Sequence, residues 1–258
     1  MPGNIWQENM QIVSWGSAIM LLCGCVGGGG SQTSPPSGID PTEQLYLELA
    51  ATPDQLYAGF AIDTDSPVIS SFTGETALRG FLAKQPAISE FNQLARQTEY
   101  VSGAWIKGED ANLSLINNDF EVAESGKYFL WGYLSESLQP KARLSYDMQA
   151  NWRCTGCSQS AGTATGALQL DLAKSQAQFN LASPVLTLET VLDITQKNQL
   201  RRQSGSNTLV TIDGKALTHD GLAVRGGIFG PDGQNAGLVF GFRDEDTHIT
   251  GIATGQEP

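Results

Sequence analysis

The residue pair best placed to do chemistry in this 258-residue chain is Cys154 and Cys157, which are separated by Thr-Gly. Two cysteines at this spacing form a redox centre, half of a zinc site or a short disulfide. A redox pair normally opens a helix, whereas these cysteines fall between two predicted strands. A zinc ion would need two further ligands, and no second Cys pair or His pair has suitable spacing. We therefore predict a disulfide between Cys154 and Cys157 that closes a hairpin loop outside the cytoplasm.

Two histidines and one acidic run are the other candidate ligand groups. His219 and His248 each lie at or beside a turn, so we expect them to be exposed loop residues. The run Asp244-Glu245-Asp246 predicts a solvated hairpin turn, with calcium binding as the alternative, because oxygen ligands alone do not set a coordination geometry. We predict no metal and no cofactor.

Known catalytic motifs are missing from the sequence. It has no nucleophile elbow, no phosphate-binding loop and no metalloprotease helix. The net charge of −12 argues against nucleic acid or an anionic membrane surface as a partner. An acidic face could steer a basic partner, although simple solubility is the plainer interpretation. We expect a binding or structural protein rather than an enzyme.

The elements that position these residues are predicted to be strands. From Lys141 onward, apolar and polar residues alternate, as in Ala177, Phe179 and Leu181. Residues 196–207 are polar and predict a long loop. Eight antiparallel strands with short connections can close into a soluble barrel filled by side chains. A membrane-spanning barrel requires aromatic residues that recur at the strand ends, and this sequence has few of them. The predicted strands are 142–152, 163–172, 176–181, 185–194, 208–217, 221–229, 236–243 and 248–254.

The region 39–140 predicts a smaller domain that is either α+β or mostly β. Residues 41–50 fit a helix or a strand. Residues 76–97 have the composition of a helix interrupted by Pro86, with apolar residues at helical spacing from Ile88 onward. Strand signals return at 100–107 and 128–134.

The stretch 225–242 predicts a β-hairpin around Gly-Pro-Asp-Gly-Gln-Asn. Pro231 presets φ for a turn and Gly233 tolerates a positive φ, which indicates a loop of about five or six residues. In the second arm, Leu238, Phe240 and Phe242 alternate with smaller residues, as in a strand with one buried face. Glycines inside both arms allow strong curvature or close backbone approach.

This hairpin resembles the GGFYGPNAEEVGGVF signature near the end of the β-barrel domains of transferrin-binding protein B and its lipoprotein relatives. The spacing of Gly-Gly, the aromatic residue, Gly-Pro and the later Gly matches, and Gly233-Gln234-Asn235 departs from it. The resemblance implies a mainly β protein with an eight-stranded antiparallel up-and-down barrel over 141–258 and a handle-like domain over 39–140. Because some relatives bind haem through loop His or Tyr, it also makes haem ligation an alternative role for the histidines.

A short apolar run precedes Leu22-Cys23-Gly24-Cys25 near the N-terminus. It is too short for a permanent transmembrane helix and fits the core of a signal peptide, with an ordinary hydrophobic helix as the alternative. Its ending resembles the bacterial lipobox, which implies a signal peptide over 1–24 and lipidation of Cys25. Glu8 stands where a basic residue is usual, so the start is Met1 or Met10.

Residues 25–38 form a Gly/Ser/Pro tether. Val26 follows the cysteine where Asp would retain a lipoprotein in the inner membrane, which implies the outer membrane of a Gram-negative bacterium. We therefore expect the protein to be held to the membrane through its N-terminal lipid only, facing either the cell surface or the periplasm. We also expect a monomer.

The function implied by this resemblance is capture of a protein, or of an iron or haem carrier, through the loops. Transferrin itself is less expected, because the full receptor has two lobes and this chain has room for one. The alternatives are a structural or assembly lipoprotein without a soluble ligand, and a carrier that holds a small ligand in the barrel mouth.

Overall fold

A computed structural model describes residues 57–63, 68–74, 88–98, 101–109, 124–138, 144–195, 197–217, 221–244 and 246–258. All of these residues belong to one compact unit, Gln32–Pro258. The signal peptide, the tether with Cys25 and the element predicted at 41–50 lie outside the described residues. The described residues include no helix that is long and apolar enough to cross a membrane.

Fifteen strands account for the described secondary structure, and every pairing between them is antiparallel. In chain order they are β1 Tyr57–Asp63, β2 Ile69–Thr73, β3 Ile88–Thr98, β4 Val101–Glu109, β5 Glu124–Tyr133, β6 Leu144–Thr155, β7 Ala161–Asp171, β8 Gln176–Ala182, β9 Leu186–Ile194, β10 Gln199–Arg202, β11 Leu209–Ile212, β12 Lys215–Leu217, β13 Ala223–Phe229, β14 Asn235–Arg243 and β15 His248–Gln256.

Strands β6 to β15 close into a barrel. One edge of β9 pairs with both β10 and β11, so these two strands are halves of one interrupted strand. In the same way β12 pairs with β11 and β13 pairs with β10. The ring therefore has eight positions, occupied by β6, β7, β8, β9, β10 with β11, β12 with β13, β14 and β15, and β15 pairs back to β6. The predicted eight-stranded antiparallel barrel is confirmed.

Two predictions within this ring were wrong. The segment 196–207, predicted to be a loop, contains β10, which closes the ring by pairing with β9 and β13. The segment 208–217, predicted to be one strand, is a hairpin of β11 and β12 that turns at Asp213 (φ 51°) and Gly214 (φ 76°). Positive φ at both central residues is the type I′ geometry that Asp-Gly favours. Strand β10 was missed because only Leu200 of its four residues is buried.

Side chains fill the barrel interior, as the alternation predicted. Ala177, Phe179 and Leu181 of β8 are each 1% exposed. They belong to the same buried cluster as Trp152 and Phe240 from other walls. Full burial of a large apolar side chain stabilises the fold by about 1.5–3 kcal/mol, so this interior is the main source of barrel stability.

The remaining strands form a five-stranded sheet in the order β2-β1-β5-β4-β3. The strands predicted at 100–107 and 128–134 are confirmed as β4 and β5, whereas the helix predicted at 76–97 was wrong over 88–97, which lies in β3. Pairing of β3 with β4 contains three register irregularities. Each such bulge opposes two residues to one and breaks the alternation of a strand, which explains the misleading spacing. Pairing with β4 overrides the local helix propensity.

The five-stranded sheet covers the outer face of β13, β14 and β15, so β14 is buried on both faces. The prediction of a single buried face was therefore wrong for β14. Glycines make room for this contact: a Cβ atom on Gly241 would lie 2.3 Å from Ile62 Cδ1, and one on Gly237 would lie 2.8 Å from Leu130 Cδ1. The atoms that approach Gly237 and Gly241 belong to side chains of the second sheet, whereas the sequence predicted strong curvature or close backbone approach at these glycines.

Candidate binding surface at the hairpin end

Four connections lie at one end of the barrel, which we call the hairpin end. Neighbouring strands of the ring run in opposite directions, so the connections that follow β6, β8, β11 and β14 lie at the same end. They are 156–160 after β6, 183–185 after β8, 213–214 after β11, and residues 244, 246 and 247 after β14. The opposite end carries the remaining turns and the chain that enters from the five-stranded sheet.

Cys154 and Cys157 lie at the hairpin end, where β6 leaves the barrel. Their sulfur atoms are bonded and their Cα atoms are 5.8 Å apart, within the roughly 4.4–6.8 Å usual for disulfides. The Cys154 amide also donates to the Ser160 carbonyl at 2.8 Å, so a backbone bond closes the same loop. That the two thiols are oxidised in the cell stays a prediction.

A carboxylate from the far wall holds this loop across the barrel mouth. The Ser158 amide donates to Asp213 Oδ2 at 2.8 Å, and the Ser158 hydroxyl donates to Asp213 Oδ1. Strands β6 and β11 are four positions apart in the eight-position ring, so these bonds span its diameter. The Asp213 amide donates to the Val185 carbonyl at 2.9 Å. We call this set of bonds the latch, and it joins three of the four connections.

The fourth connection packs against the first. A Cβ atom on Gly156 would lie 2.1 Å from the Asp246 carbonyl oxygen, and Gly156 has a φ of 81°. Only glycine combines this backbone conformation with so close a neighbour. All four connections therefore support one another, although they are separated widely in sequence.

Hydrogen bonds from Ser158 lower the pKa of Asp213 below its ordinary value of 3.8. A lowered folded-state pKa means that the ionised carboxylate stabilises the fold above pH 3.8 and that this contribution is lost as the pH falls through the folded-state pKa. The side chain is fully exposed, so the effect on stability is small.

We expect Asp213→Asn to lower the melting temperature by about 1–2 °C at pH 7 and by less at pH 2.5, because protonation removes the contribution of the wild-type carboxylate as the pH falls. Asparagine keeps the shape of the side chain but offers one weaker acceptor to Ser158. Thermal unfolding at both pH values measures the difference, with Asp147→Asn on an exposed position of β6 as the control. An offset that is the same at both pH values would show that the carboxylate charge has no part in the latch.

The histidines and the acidic run have separate outcomes. The prediction of an exposed loop residue was wrong for His248, which begins β15, pairs with Arg243 and Thr155, and is half-buried. His219 and Glu245 lie outside the described residues. The Asp244 amide donates to the Thr247 carbonyl at 2.8 Å, which confirms the predicted hairpin turn. Within the described segments, no three His, Cys, Asp or Glu side chains are grouped to hold a metal ion.

The Gly-Pro-Asp-Gly loop, residues 230–234, lies at the opposite end and fastens the two sheets together. The Gly230 amide donates to the Tyr133 carbonyl at 2.9 Å, and the Ser135 amide donates to the Ile228 carbonyl at 2.9 Å. Tyr133 and Ser135 belong to the chain that leaves the five-stranded sheet. The hairpin that carries the sequence resemblance is therefore a structural joint.

Tyr146 strengthens the same joint from inside the barrel. Its hydroxyl donates to the Gly233 carbonyl at 2.6 Å. Burial raises the pKa of Tyr146, and the negative charge of Glu257 raises it further. The phenol therefore remains protonated, and remains a donor, throughout the physiological pH range.

No protein-family model and no curated protein sequence matches this chain. Solved structures do match. A double mutant of transferrin-binding protein B from Haemophilus parasuis Hp5 superposes with a TM-score of 0.52 at 12% identity, over 78% of this chain and 45% of that chain. Intact Ap-TbpB, with its N and C lobes, gives 0.51 at 12% identity, over 78% and 46%.

The chain has the transferrin-binding protein B fold. It spans less than half the length of each of these two structures. In this chain the Gly-Gly and Gly-Pro residues lie where the barrel meets the second sheet.

Two features of the hairpin end were missed by sequence reasoning. Ser158 and Asp213 are 55 residues apart, and nothing local indicates their contact. The Asp213-Gly214 turn, however, carries a strong hairpin signal that could have placed Asp213 at the end of the barrel.

Proposed function

We propose that this protein is a lipid-anchored outer-membrane binding protein that captures a macromolecule, or an iron- or haem-related nutrient, through the hairpin end. The observation that carries the proposal is the latch between Ser158 and Asp213, which supports connections on a closed barrel. Loops on a rigid scaffold commonly carry recognition. Loops that are already ordered bind without the entropic cost of ordering.

Charge indicates the kind of partner. Asp213, Asp244 and Asp246 lie at the hairpin end of a chain whose net charge is −12. A basic surface on the partner would be attracted to this end and would associate faster. The matching structures are named for binding transferrin, but a shared fold hosts many functions, so the ligand must be identified by binding.

The interior of the barrel favours the loops over the lumen as the site. The side chains of Trp152, Phe179 and Phe240 fill it as parts of one buried cluster. A small ligand in the barrel mouth would have to displace such side chains. Binding at the exterior is therefore the better-supported arrangement.

The anchor in this proposal is an acylated Cys25. Two acyl chains hold a protein on a membrane stably. In this proposal the Gly/Ser/Pro stretch 25–38 joins the anchor to the folded part. In this layout residues 39–140 form the handle-like domain and residues 141–258 the barrel of a monomer.

Binding assays on the full chain test the proposal, with haemin, serum transferrin and lactoferrin as probes. We expect at least one probe to bind. Asp246→Arg reverses a charge at the exposed hairpin end and should weaken that binding about tenfold, which corresponds to about 1.4 kcal/mol. Gln149→Arg, on the exposed outer wall of β6, is the matched control and should bind as the wild type does. Incorporation of labelled palmitate, lost in Cys25→Ala, tests the anchor separately.

Two results would count against the proposal. If no probe binds, the alternative of a structural or assembly lipoprotein without a soluble ligand is favoured. If Asp246→Arg and Gln149→Arg weaken binding equally, the hairpin end is not the site.

A further inference from the structure

A concave site of about 440 Å³ lies on the outer wall of the barrel, far from the five-stranded sheet. We call it the wall groove. Its floor is made by Gln178 and Asn180 of β8 and Glu189 of β9, all exposed and outward-facing. Its side is made by residues 207–209, where the chain enters β11. Strand β8 is four ring positions from β14, so the groove faces away from the sheet that covers β14.

The groove exists because the strand shared by β10 and β11 is interrupted. The intervening segment is bonded to β9: the Gln203 amide donates to the Val191 carbonyl at 3.0 Å, and the hydroxyls of Thr208 and Thr190 are 3.2 Å apart. Arg202 Nε also donates to Thr208 Oγ1 at 3.2 Å. These bonds hold the side of the groove in place before any ligand arrives.

The lining chemistry is that of a site for a neutral, hydroxyl-rich molecule. It has three amides, from Gln178, Asn180 and Asn207, and an amide both donates and accepts hydrogen bonds. Because Asn180 Oδ1 already accepts a hydrogen bond from the Ala167 amide at 3.1 Å, Asn180 offers its amide nitrogen to a ligand. Glu189 supplies the single carboxylate of the lining, which suits neither an anion nor a metal ion that needs several oxygen ligands. The volume falls within the roughly 300–1,000 Å³ typical of small-ligand sites.

An apolar patch completes the match. Leu209 is 42% exposed, and Val191 lies beside it in the lining. A sugar ring presents hydroxyl groups at its edge and C–H groups on its face. Its edge would meet the amides and Glu189, while its face would lie against Leu209.

We propose that the wall groove binds a neutral saccharide of a surface glycan. The site is separate from the hairpin end and so extends the proposed function. Glu189 and Gln178 hydrogen-bond the sugar hydroxyls, and Leu209 packs against the ring. The glycan belongs either to a glycoprotein partner or to the polysaccharide of the cell's own envelope.

The test is an array of neutral hexose and N-acetylhexosamine oligosaccharides, with sulfated and sialylated counterparts. The full chain is used, in a detergent without a sugar headgroup so that the detergent cannot occupy the groove. We expect neutral probes to bind and charged ones to bind less. Gln178→Ala and Glu189→Ala should each weaken the best probe about tenfold, because each removes a hydrogen-bonding group.

Gln149→Ala is the matched control: it removes the same amide from an exposed, outward-facing position on β6 and should leave binding unchanged. The proposal is overturned if no neutral probe binds, if only charged probes bind, or if the double variant Gln178→Ala, Glu189→Ala binds as the wild type does. Asp246→Arg should not affect saccharide binding, so failure of the hairpin-end proposal and failure of this one give different results.

Two further arms identify the source of the glycan. Loss of binding to a glycoprotein after enzymatic deglycosylation assigns the groove to a partner's glycan. Competition by polysaccharide extracted from the producing cell assigns it to the envelope. Either result supports the proposal, provided that Glu189→Ala weakens that binding about tenfold.

Discussion

Replacing Gly226 with alanine is expected to lower the melting temperature by about 6–12 °C, which corresponds to a loss of about 3 kcal/mol for a domain of this size. A Cβ atom at this position would lie 1.9 Å from the Gly237 carbonyl oxygen. That oxygen belongs to the backbone of the paired strand, where Gly226 lies opposite Leu238. Relief therefore requires the β13–β14 pair to separate, which places the cost at or above the upper end of the usual 1–3 kcal/mol for overpacking.

A second glycine provides the control for this measurement. Gly205 has a φ of 72° and no atom within 4 Å of the place where its Cβ would lie. Asparagine tolerates this left-handed conformation, so Gly205→Asn should change the free energy of unfolding by less than about 0.5 kcal/mol. Thermal and denaturant unfolding of both variants measure the difference. If Gly226→Ala melts as the wild type does, β13 and β14 are not packed as closely as this contact requires.

Features that depend on one strand and its own turn could be predicted from the sequence. The alternation in β8 reports directly which of its residues face the interior, and Ala177, Phe179 and Leu181 are all buried there. The five-residue loop of the β13–β14 hairpin follows from Pro231 and Gly233, whose conformational preferences are local.

Features that depend on distant partners could not be predicted in this way. Strand β10 has four residues and buries one, so it is a strand only because β9 and β13 lie on either side of it. The helix predicted over 88–97 is a strand for the same reason, since β4 supplies its hydrogen-bond partners. In both segments tertiary pairing determines the structure and local composition does not.

The candidate sites depend on the order of strands around the ring. The latch joins Ser158 to Asp213, and the wall groove combines Gln178 with Leu209; each pair is separated by 31 residues or more along the chain. The groove can be located only when β8, β9 and β11 are known to be neighbours. The latch can be located only when the order of the whole ring is known. The residues themselves are common surface types that carry no motif.

The glycines of β14 link the sequence resemblance to the architecture. Gly237 is part of the stretch that resembles the transferrin-binding protein B signature, and both Gly237 and Gly241 lie where the second sheet approaches the barrel. The barrel end that carries the signature holds the two sheets together through the hydrogen bonds of Gly230 and Ile228. That leaves the hairpin end and the outer wall of β8 and β9 as surfaces for recognition.

Ile252→Ala and Ile249→Ala should destabilise the protein by similar amounts but in different places. Both side chains lie on β15 and are no more than 2% exposed, so each truncation should cost about 2–5 kcal/mol. Ile249 belongs to the cluster inside the barrel. Ile252 belongs to the cluster between the sheets, where a Cβ atom on Gly103 of β4 would lie 2.5 Å from Ile252 Cδ1.

Hydrogen exchange distinguishes the two variants. Loss of Ile252 removes contacts that hold the five-stranded sheet to the barrel, so the amides of β4 and β5 should exchange faster while those of β7 and β8 keep their protection. Loss of Ile249 weakens the barrel interior and should speed exchange in β7 and β8 as well. Identical exchange maps would mean that the two sheets open only together. In that case the contact between the two sheets could not open independently of the barrel. Binding at the hairpin end would then slow hydrogen exchange in both sheets equally.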